Sequence, residues 1–278
     1  MFTRLPVHVF VLCIGLAVFA QPAAAVLDFE DLPLGQMYDL SMLTAAPDNF
    51  TTGGRNVQLQ PFQWVSGMWT SDGWAQVQNG GMAGGFGNEM ATNNVNLRFG
   101  LPAPLGFLRF QFGEYGGNIN MDIDGTFLNF NNFIDVNGLV IGSALITVPV
   151  GGFGNDMGVL AVQGGFFSAL TIGGQELWID NVDYIVRGDF DGDGRTNLLD
   201  INPFVLALTD MPRYQMLYPG VNLQYVDPDD NNIINLLDIN PFVAILTSGT
   251  GSSSTQTIPE PATVVLVGLA AITLLRRR

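Results

Sequence analysis

The sequence is nearly devoid of three side chains on which many enzymes depend. Its 278 residues include no lysine, one cysteine and one histidine, and both Cys13 and His8 lie in the first 25 residues. If that segment is removed on export, the remaining chain cannot form a thiol nucleophile, a Ser/His/Asp triad, a Schiff base, a P-loop, or a zinc site of His or Cys. Carboxylates, amides, hydroxyls, aromatic rings and a few arginines remain for chemistry.

Positive charge is also scarce. Residues 26–257 contain six arginines against 24 aspartates and glutamates. We expect no nucleic-acid partner, because a phosphate backbone requires a basic surface. An acidic surface attracts divalent cations. The composition therefore favours a cation or a sugar as ligand, and glycoside hydrolysis would need two well-placed carboxylates.

The first 25 residues have the order of an export signal. Arg4 gives a positive start, residues 7–20 are apolar, and three alanines at 23–25 offer a cleavage site. We predict a signal peptide that signal peptidase removes near residue 25. A retained membrane anchor is the alternative, for which the apolar run is short.

The C-terminus contains a second addressing pattern. After a small, polar stretch at 249–257, predicted to be a flexible linker, come Pro259, Glu260 and Pro261, an apolar run at 262–275 and three arginines at 276–278. Residues 258–278 resemble the PEP-CTERM sorting signal. The resemblance implies transient membrane anchoring, processing by an exosortase, and delivery to the cell surface or extracellular matrix of a Gram-negative bacterium. A plain tail anchor is the alternative.

Between these ends lies an internal duplication. Residues 189–210 read DFDGDGRTNLLDINPFVLALTD and residues 227–248 read DPDDNNIINLLDINPFVAILTS, an offset of 38 residues in which NLLDINPFV recurs unchanged. Residues 189–200 (loop 1) and 227–238 (loop 2) carry acids or amides at positions 1, 3, 5, 9 and 12, and a main-chain carbonyl is available at position 7. Alternate residues of a tight loop turn their oxygens inward, and Ca²⁺ takes six to eight oxygen ligands. The predicted ligands are Asp189, Asp191, Asp193, Arg195, Asn197 and Asp200 in loop 1, and Asp227, Asp229, Asn231, Ile233, Asn235 and Asp238 in loop 2.

Two further features accompany each loop. Position 6 needs a positive φ, which Gly194 supplies without steric cost and which Asn232 tolerates. Position 12 opens a predicted helix, packed through a shared set of apolar residues. These are Leu199, Ile201, Phe204, Val205 and Leu208, with Leu237, Ile239, Phe242, Val243 and Leu246 as their equivalents.

Aspartate at position 12, one helix per loop and the near-symmetric pair resemble the type I dockerin fold over residues 188–248. The resemblance implies two Ca²⁺ ions and docking to a cohesin through positions 10 and 11 and the following helix. Those positions are the leucine doublets 198–199 and 236–237, which are unusually apolar, so a cohesin-like or another protein partner remains open. Packing of the doublets between the two repeats, or against the N-terminal body, is the alternative. We hypothesise that this small, disulfide-free module folds only with Ca²⁺.

Residues 26–187 are rich in glycine and in turn dipeptides, with short alternating runs. Strands are predicted at 95–99, 107–112, 119–123, 139–148, 159–163, 166–172 and 176–186. Within 107–112, alternation should bury Leu108, Phe110 and Phe112. The predicted fold class is mainly β: a jelly-roll-like β-sandwich followed by a small α-helical dockerin-like calcium-binding domain.

Two features of this body are candidate sites. Acidic residues lie near its start (Asp28, Glu30 and Asp31) and in its last strand (Asp180 and Asp183). The body loosely resembles carbohydrate-binding jelly rolls, and the resemblance implies a structural Ca²⁺ held by Glu30 and Asp180. Solvated acids are the alternative. Trp64, Trp69 and Trp74 with the polar stretch 76–94 form a candidate sugar site. Buried strand tryptophans are the alternative, and Trp178 is assigned to the core.

The function favoured by the sequence is that of an exported, non-enzymatic, calcium-binding surface or matrix protein with a structural or interaction role. The alternative is a carbohydrate-binding module of a polysaccharide-handling assembly, with an extracellular polysaccharide as partner. A glycoside hydrolase component is a third interpretation, resting on Glu89 and Glu114.

Overall fold

The structure, a computed structural model, describes residues 25–40 and 47–248. The predicted linker and sorting tail, and the predicted signal peptide up to residue 24, lie outside the described residues. No helix in the described part is both long and apolar enough to span a membrane.

The described chain up to residue 186 forms sixteen strands. In chain order they are β1 (Ala25–Leu27), β2 (Met37–Asp39), β3 (Asn49–Thr52), β4 (Arg55–Gln63), β5 (Trp69–Thr70), β6 (Trp74–Gln78), β7 (Glu89–Asn93), β8 (Val95–Phe99), β9 (Leu105–Glu114), β10 (Ile119–Ile123), β11 (Thr126–Phe130), β12 (Val140–Ile141), β13 (Ala144–Val150), β14 (Asp156–Phe167), β15 (Leu170–Gly174) and β16 (Leu177–Val186). A short 3-10 helix, Phe133–Val136, follows β11.

The strands form two antiparallel sheets. The larger sheet has the order β12-β13-β14-β9-β16-β7-β6-β2, with β1 also paired to β16. The smaller sheet has the order β11-β10-β15-β8-β4-β3, with β5 paired to β4. First and last strands are therefore adjacent, and the chain is mainly β, as predicted.

One hydrophobic core lies between the sheets, because each contributes its alternate residues to it. Leu108, Phe110 and Phe112 of β9 are buried in that core, which confirms the predicted alternation, and Leu97 and Ile172 enter it from the smaller sheet. Burial of such side chains is the main stabilising contribution in a chain without disulfides.

The strand prediction was accurate for β8 and β10 and wrong at 166–172. β14 ends at Phe167 and β15 begins at Leu170 in the other sheet. The main-chain N–H groups of Ser168 and Ala169 donate to the Asp124 carboxylate at 2.9 Å each, which holds the crossing. The alternating sequence pattern therefore runs on through residues 168–169, where the chain passes from the larger sheet to the smaller one.

Residues 188–248 form a small helical part. Its helices are α1 (Ile201–Thr209), α2 (Met211–Leu217), α3 (Leu223–Val226) and α4 (Ile239–Ser248), with 3-10 turns at Leu198–Asp200 and Leu236–Asp238. Phe204 of α1 and Phe242 of α4 meet with ring centroids 4.4 Å apart, over Phe190. These rings belong to a second buried cluster, separate from the core of the sandwich.

Candidate metal centres

Loop 1 winds its main chain around the carboxylate of Asp189. One oxygen accepts hydrogen bonds from the N–H groups of Gly192 at 2.7 Å and Asp193 at 3.1 Å, and the other accepts from Gly194 at 2.8 Å. Gly194 has φ +80°, in the left-handed region predicted for position 6. The aspartate at position 1 therefore organises the turn that carries the other candidate ligands.

Three carboxylates of loop 1 converge. Oxygens of Asp189, Asp191 and Asp193 lie within 4.8 Å of one another. Asp200 at position 12 is fully buried, and its oxygens accept from the N–H groups of Asp191 at 3.0 Å and Asn197 at 2.8 Å. The end of the loop is thus tied to its middle, and the assembled oxygens are the hard ligands that Ca²⁺ prefers.

Loop 2 assembles a similar group that is less satisfied. Oxygens of Asp227, Asp229 and Asp238 lie within 4.8 Å of one another. Asp227 and Asp238 are fully buried, and the Oδ1 atom of each has no hydrogen-bond partner among the described residues. Leaving such groups buried and unpaired is costly, and a bound cation would compensate for it. The residues present therefore fit a divalent cation.

The amides at position 9 have a second task. Asn197 Oδ1 accepts from Leu199 N and Asn235 Oδ1 from Leu237 N, each at 2.8 Å, so both cap the following 3-10 turn. Position 9 of such loops often reaches the ion through water, which is compatible with capping. The carbonyl of Ile233 at position 7 accepts from Asn235 Nδ2 at 2.9 Å.

Burial and mutual repulsion perturb these acids. Burial, and then the charge of the neighbouring Asp200 carboxylate, raise the pKa of Asp189 to about 7. The pKa of Asp200 is raised to about 6, mainly by burial. Burial and the nearby Asp227 carboxylate raise the pKa of Asp238 to about 7. Each shift reflects the cost of negative charge in these cages, a cost that a bound cation removes.

A buried arginine fixes loop 2 to the sandwich. The Arg187 guanidinium is fully buried, and it donates to the carbonyl oxygens of Gly165 at 2.9 Å and Asp227 at 2.7 Å and to Asp230 Oδ1 at 2.5 Å. Asp230 Oδ2 accepts from Gly165 N at 2.7 Å, and the guanidinium lies 4.8 Å from the centroid of the Phe166 ring. Arg187 therefore bonds both to Asp227 at position 1 of loop 2 and to Gly165 of β14, and so connects the loop to the sandwich.

Sequence reasoning missed this connection, although the repeats contain a signal for it. Position 4 is Gly192 in loop 1 and Asp230 in loop 2, both with positive φ. An aspartate in a conformation that favours glycine is a departure that indicates a specific role for its side chain. Tyr225 strengthens the same junction, because its ring stacks on Phe107 of β9 at 4.6 Å.

The leucine doublets at positions 10 and 11 are exposed. Leu198, Leu199, Leu236 and Leu237 keep between 67% and 76% of their surface accessible. Neither suggested packing role, between the repeats or against the N-terminal body, is correct. The predicted packing of Ile201, Val205, Ile239 and Val243 is also wrong, because these residues are exposed while Phe204 and Phe242 face the core.

The candidate sites in the sandwich are less convergent. Burial, and then the charges of Glu89, Asp28 and Glu30, raise the pKa of Asp180 to about 7. Glu30 accepts from Asn88 N at 2.8 Å. Among the described residues, three carboxylates converge within 4.8 Å in loops 1 and 2 but not around Asp180. Calcium at Glu30 and Asp180 stays a prediction.

The glutamates considered for hydrolysis both bind main chain. Glu114 accepts from Phe133 N at 2.8 Å and Gly154 N at 2.6 Å. Glu89 accepts from Met82 N at 3.0 Å and Ala83 N at 2.8 Å. Each buried carboxylate therefore anchors a loop.

Comparison with known proteins finds no matching family model, no matching curated protein and no matching solved structure. The function is therefore inferred from the geometry of the sites themselves.

Proposed function

We propose that this chain is an exported calcium-binding protein of the cell surface or extracellular matrix, with a structural or interaction role. The observation that carries the proposal is the buried pair Asp227 and Asp238, each with an oxygen that has no hydrogen-bond partner in the described part of the chain, in a loop that offers further oxygen ligands. Ca²⁺ would be held by both twelve-residue loops. It would supply the positive charge that these cages lack, and so stabilise the helical part.

Titration calorimetry tests this proposal. Ca²⁺ added to the chelator-treated full chain should bind with a stoichiometry of two. Mg²⁺ should bind more weakly, because it demands octahedral geometry and dehydrates reluctantly. No heat of binding at millimolar Ca²⁺ would refute the assignment of both loops.

The interaction role is supported by the exposed leucine doublets. Each doublet is followed by an exposed valine of the next helix, Val205 in α1 and Val243 in α4, so the two repeats expose the same apolar residue types at equivalent positions. Clusters of exposed apolar side chains on an otherwise acidic protein are typical of a site for a protein partner. A cohesin-like or other partner with an apolar face would fit.

Export rests on the terminal segments. A signal peptidase and an exosortase would process the two ends. Mass spectrometry of the mature protein tests this, since a peptide that retains Arg278 would contradict processing of the tail.

A second candidate function is carbohydrate binding by the sandwich. It is favoured by a groove that contains Trp69, 55% exposed, beside polar side chains. Trp64 and Trp74, which were grouped with Trp69 from the sequence, do not line that groove.

A further inference from the structure

The outer face of the smaller sheet has a polar floor. Pairing of β8, β15 and β10 places Arg98, Thr171 and Asp122 in one row across the sheet. The same register places Asn96 and Asn120 in the neighbouring row, on the same face because side chains alternate. The residues between these positions enter the core; on the outer face Arg98 is exposed, Asp122 and Thr171 are half-buried, and Asn96 and Asn120 are buried beneath the β4–β5 hairpin.

One wall of the groove is aromatic and fixed in place. The β4–β5 hairpin folds over the sheet where Asn120 accepts from Gln63 N at 2.8 Å and donates to Gln63 O at 2.9 Å. Asn129 donates to the same carbonyl at 2.8 Å. Trp69 pairs with Gln63, and its ring lies 5.3 Å from that of Phe127. The indole is therefore positioned before any ligand arrives, which lowers the entropic cost of binding.

The opposite wall is the sheet crossing held by Asp124, which includes Ser168 and Ala169. The groove between the walls has a volume of about 840 Å³. Its lining comes from residues 60–171 and includes no residue of the calcium loops. It is thus a separate site.

Its chemistry matches a sugar ring. An exposed indole face can stack on the apolar face of a pyranose. The Arg98 guanidinium offers only hydrogen-bond donors and the Asp122 carboxylate offers only acceptors. The Thr171 hydroxyl lies between them and can do both. The Arg98 side chain makes no hydrogen bond or ion pair with another described residue, and the buried Asn96 Oδ1 has no partner among them. The exposed Arg98 guanidinium is therefore available to a ligand beside the aromatic wall.

We propose that this groove binds a neutral polysaccharide, with a pyranose ring on Trp69 and its hydroxyls bracketed by Arg98 and Asp122. An anionic polymer is disfavoured, because Asp122 and Asp124 outnumber the single guanidinium and the formal net charge of the chain is −15. This inference rests on the carbohydrate-binding candidate function and is independent of the calcium loops.

Affinity electrophoresis of the full chain tests the site. The neutral probes are xyloglucan, mixed-linkage β-glucan and galactomannan; the anionic probes are polygalacturonate and alginate. We expect retardation by at least one neutral polymer, with Trp69→Ala and Arg98→Gln each weakening that binding at least tenfold. Trp74→Ala, in the larger sheet, is the matched control and should bind as the wild type does. Asp122→Asn keeps an acceptor for Gly125 N and should weaken the discrimination against the anionic probes.

The outcomes separate the site from the function. If the wild type binds none of the neutral polymers, both the groove and the carbohydrate-binding function are refuted. If it binds one and both Trp69→Ala and Arg98→Gln bind equally well, only the groove is refuted. Stronger binding to either anionic probe overturns the neutral assignment. Should Trp69→Ala not fold, Arg98→Gln decides, because its side chain is exposed and makes no bond to another described residue.

Discussion

At the scale of single residues, the two loops diverge most informatively at position 4. Gly192 adopts a positive φ in loop 1, and Asp230 adopts φ +63° in loop 2. Such a conformation costs a non-glycine residue of order 1 kcal/mol. Asp230 offsets that cost through its contacts with Arg187 and with Gly165 N. The backbone strain is therefore linked to attachment of the loop to the sandwich.

Asp230→Gly separates these two effects. Glycine relieves the backbone but leaves the buried Arg187 without its only carboxylate partner among the described residues, so we expect a net loss of about 1–2 kcal/mol in unfolding free energy. Asn232→Gly is the matched control: φ is +65° there, and its side chain makes no bond to another described residue, so stability should stay within about 0.5 kcal/mol. Urea denaturation measures both. Equal stability of the two variants would show that the Asp230 contacts contribute nothing.

The buried carboxylates make a second residue-scale prediction. Asp238→Asn removes a charged ligand from loop 2 and should lower the calorimetric stoichiometry from two to one, or weaken one site at least tenfold. Asp210→Asn is the matched control, because Asp210 lies outside both loops and caps α2 through Arg213 N, which asparagine can also do. Unchanged binding in Asp238→Asn would exclude loop 2 as a metal site.

At the scale of elements, α1, α4 and the 3-10 turns before them expose apolar residues at equivalent positions of the two repeats. The rings of Phe204 and Phe242 fill the space between the helices, so the doublet leucines have no interior left to enter. Apolar residues that a fold leaves in water at equivalent places of a duplication are best explained by a partner.

The double variant Leu199→Ser/Leu237→Ser tests this explanation. Because both side chains are exposed, thermal unfolding should shift little, with each site changing stability by no more than about 0.5 kcal/mol. Binding of the apolar dye ANS to the folded protein should fall. The matched control, Leu208→Ser, alters a leucine packed on the internal cluster and should destabilise the helical part. Strong destabilisation by the double variant would mean that the leucines serve the fold.

The elements also show how far sequence reasoning reaches. The loops were predictable because their ligand spacing is local and the segment NLLDINPFV repeats, and β8 and β10 because they alternate strictly. The exposed side of α1 was not predictable, since Ile201 and Val205 are as apolar as the buried Phe204. The groove and the Arg187 connection depend on long-range pairing, such as Arg187 with Asp230, that no local pattern encodes.

At the scale of the whole molecule, the helical part shares a boundary with the sandwich but has its own core. Chelation should therefore affect the two parts unequally. In EGTA we expect amide exchange to accelerate across α1 and α4, while β8, β9 and β15 stay protected. Hydrogen exchange with mass spectrometry reads this directly. Uniform loss of protection would indicate a single cooperative unit, and no change at all would refute the hypothesis that the helical part folds only with Ca²⁺.

Protons should compete with Ca²⁺ for the buried carboxylates of loops 1 and 2. Without metal, burial raises the pKa of Asp189 and Asp238 to about 7 and that of Asp200 to about 6, so in the folded state these groups hold protons that the unfolded chain releases at lower pH. Their contribution to stability is present at acidic pH and is lost as pH rises through 6–7. Protons compete with Ca²⁺ for the same oxygens, and one carboxyl of pKa about 7 weakens binding roughly 50-fold between pH 7 and pH 5.

Rising pH destabilises the metal-free protein but strengthens Ca²⁺ binding. The effect of Ca²⁺ on the melting temperature should therefore depend strongly on pH. The rise in melting temperature that added Ca²⁺ gives to the metal-free protein should be large at pH 8, where the empty cages are charged, and should nearly vanish at pH 5, where protons replace the ion. Melting curves of metal-free protein with and without added Ca²⁺ at both pH values measure it, and Asp210→Asn should behave as the wild type does. A rise that is independent of pH would show that the ion is not held by the buried carboxylates of the two loops.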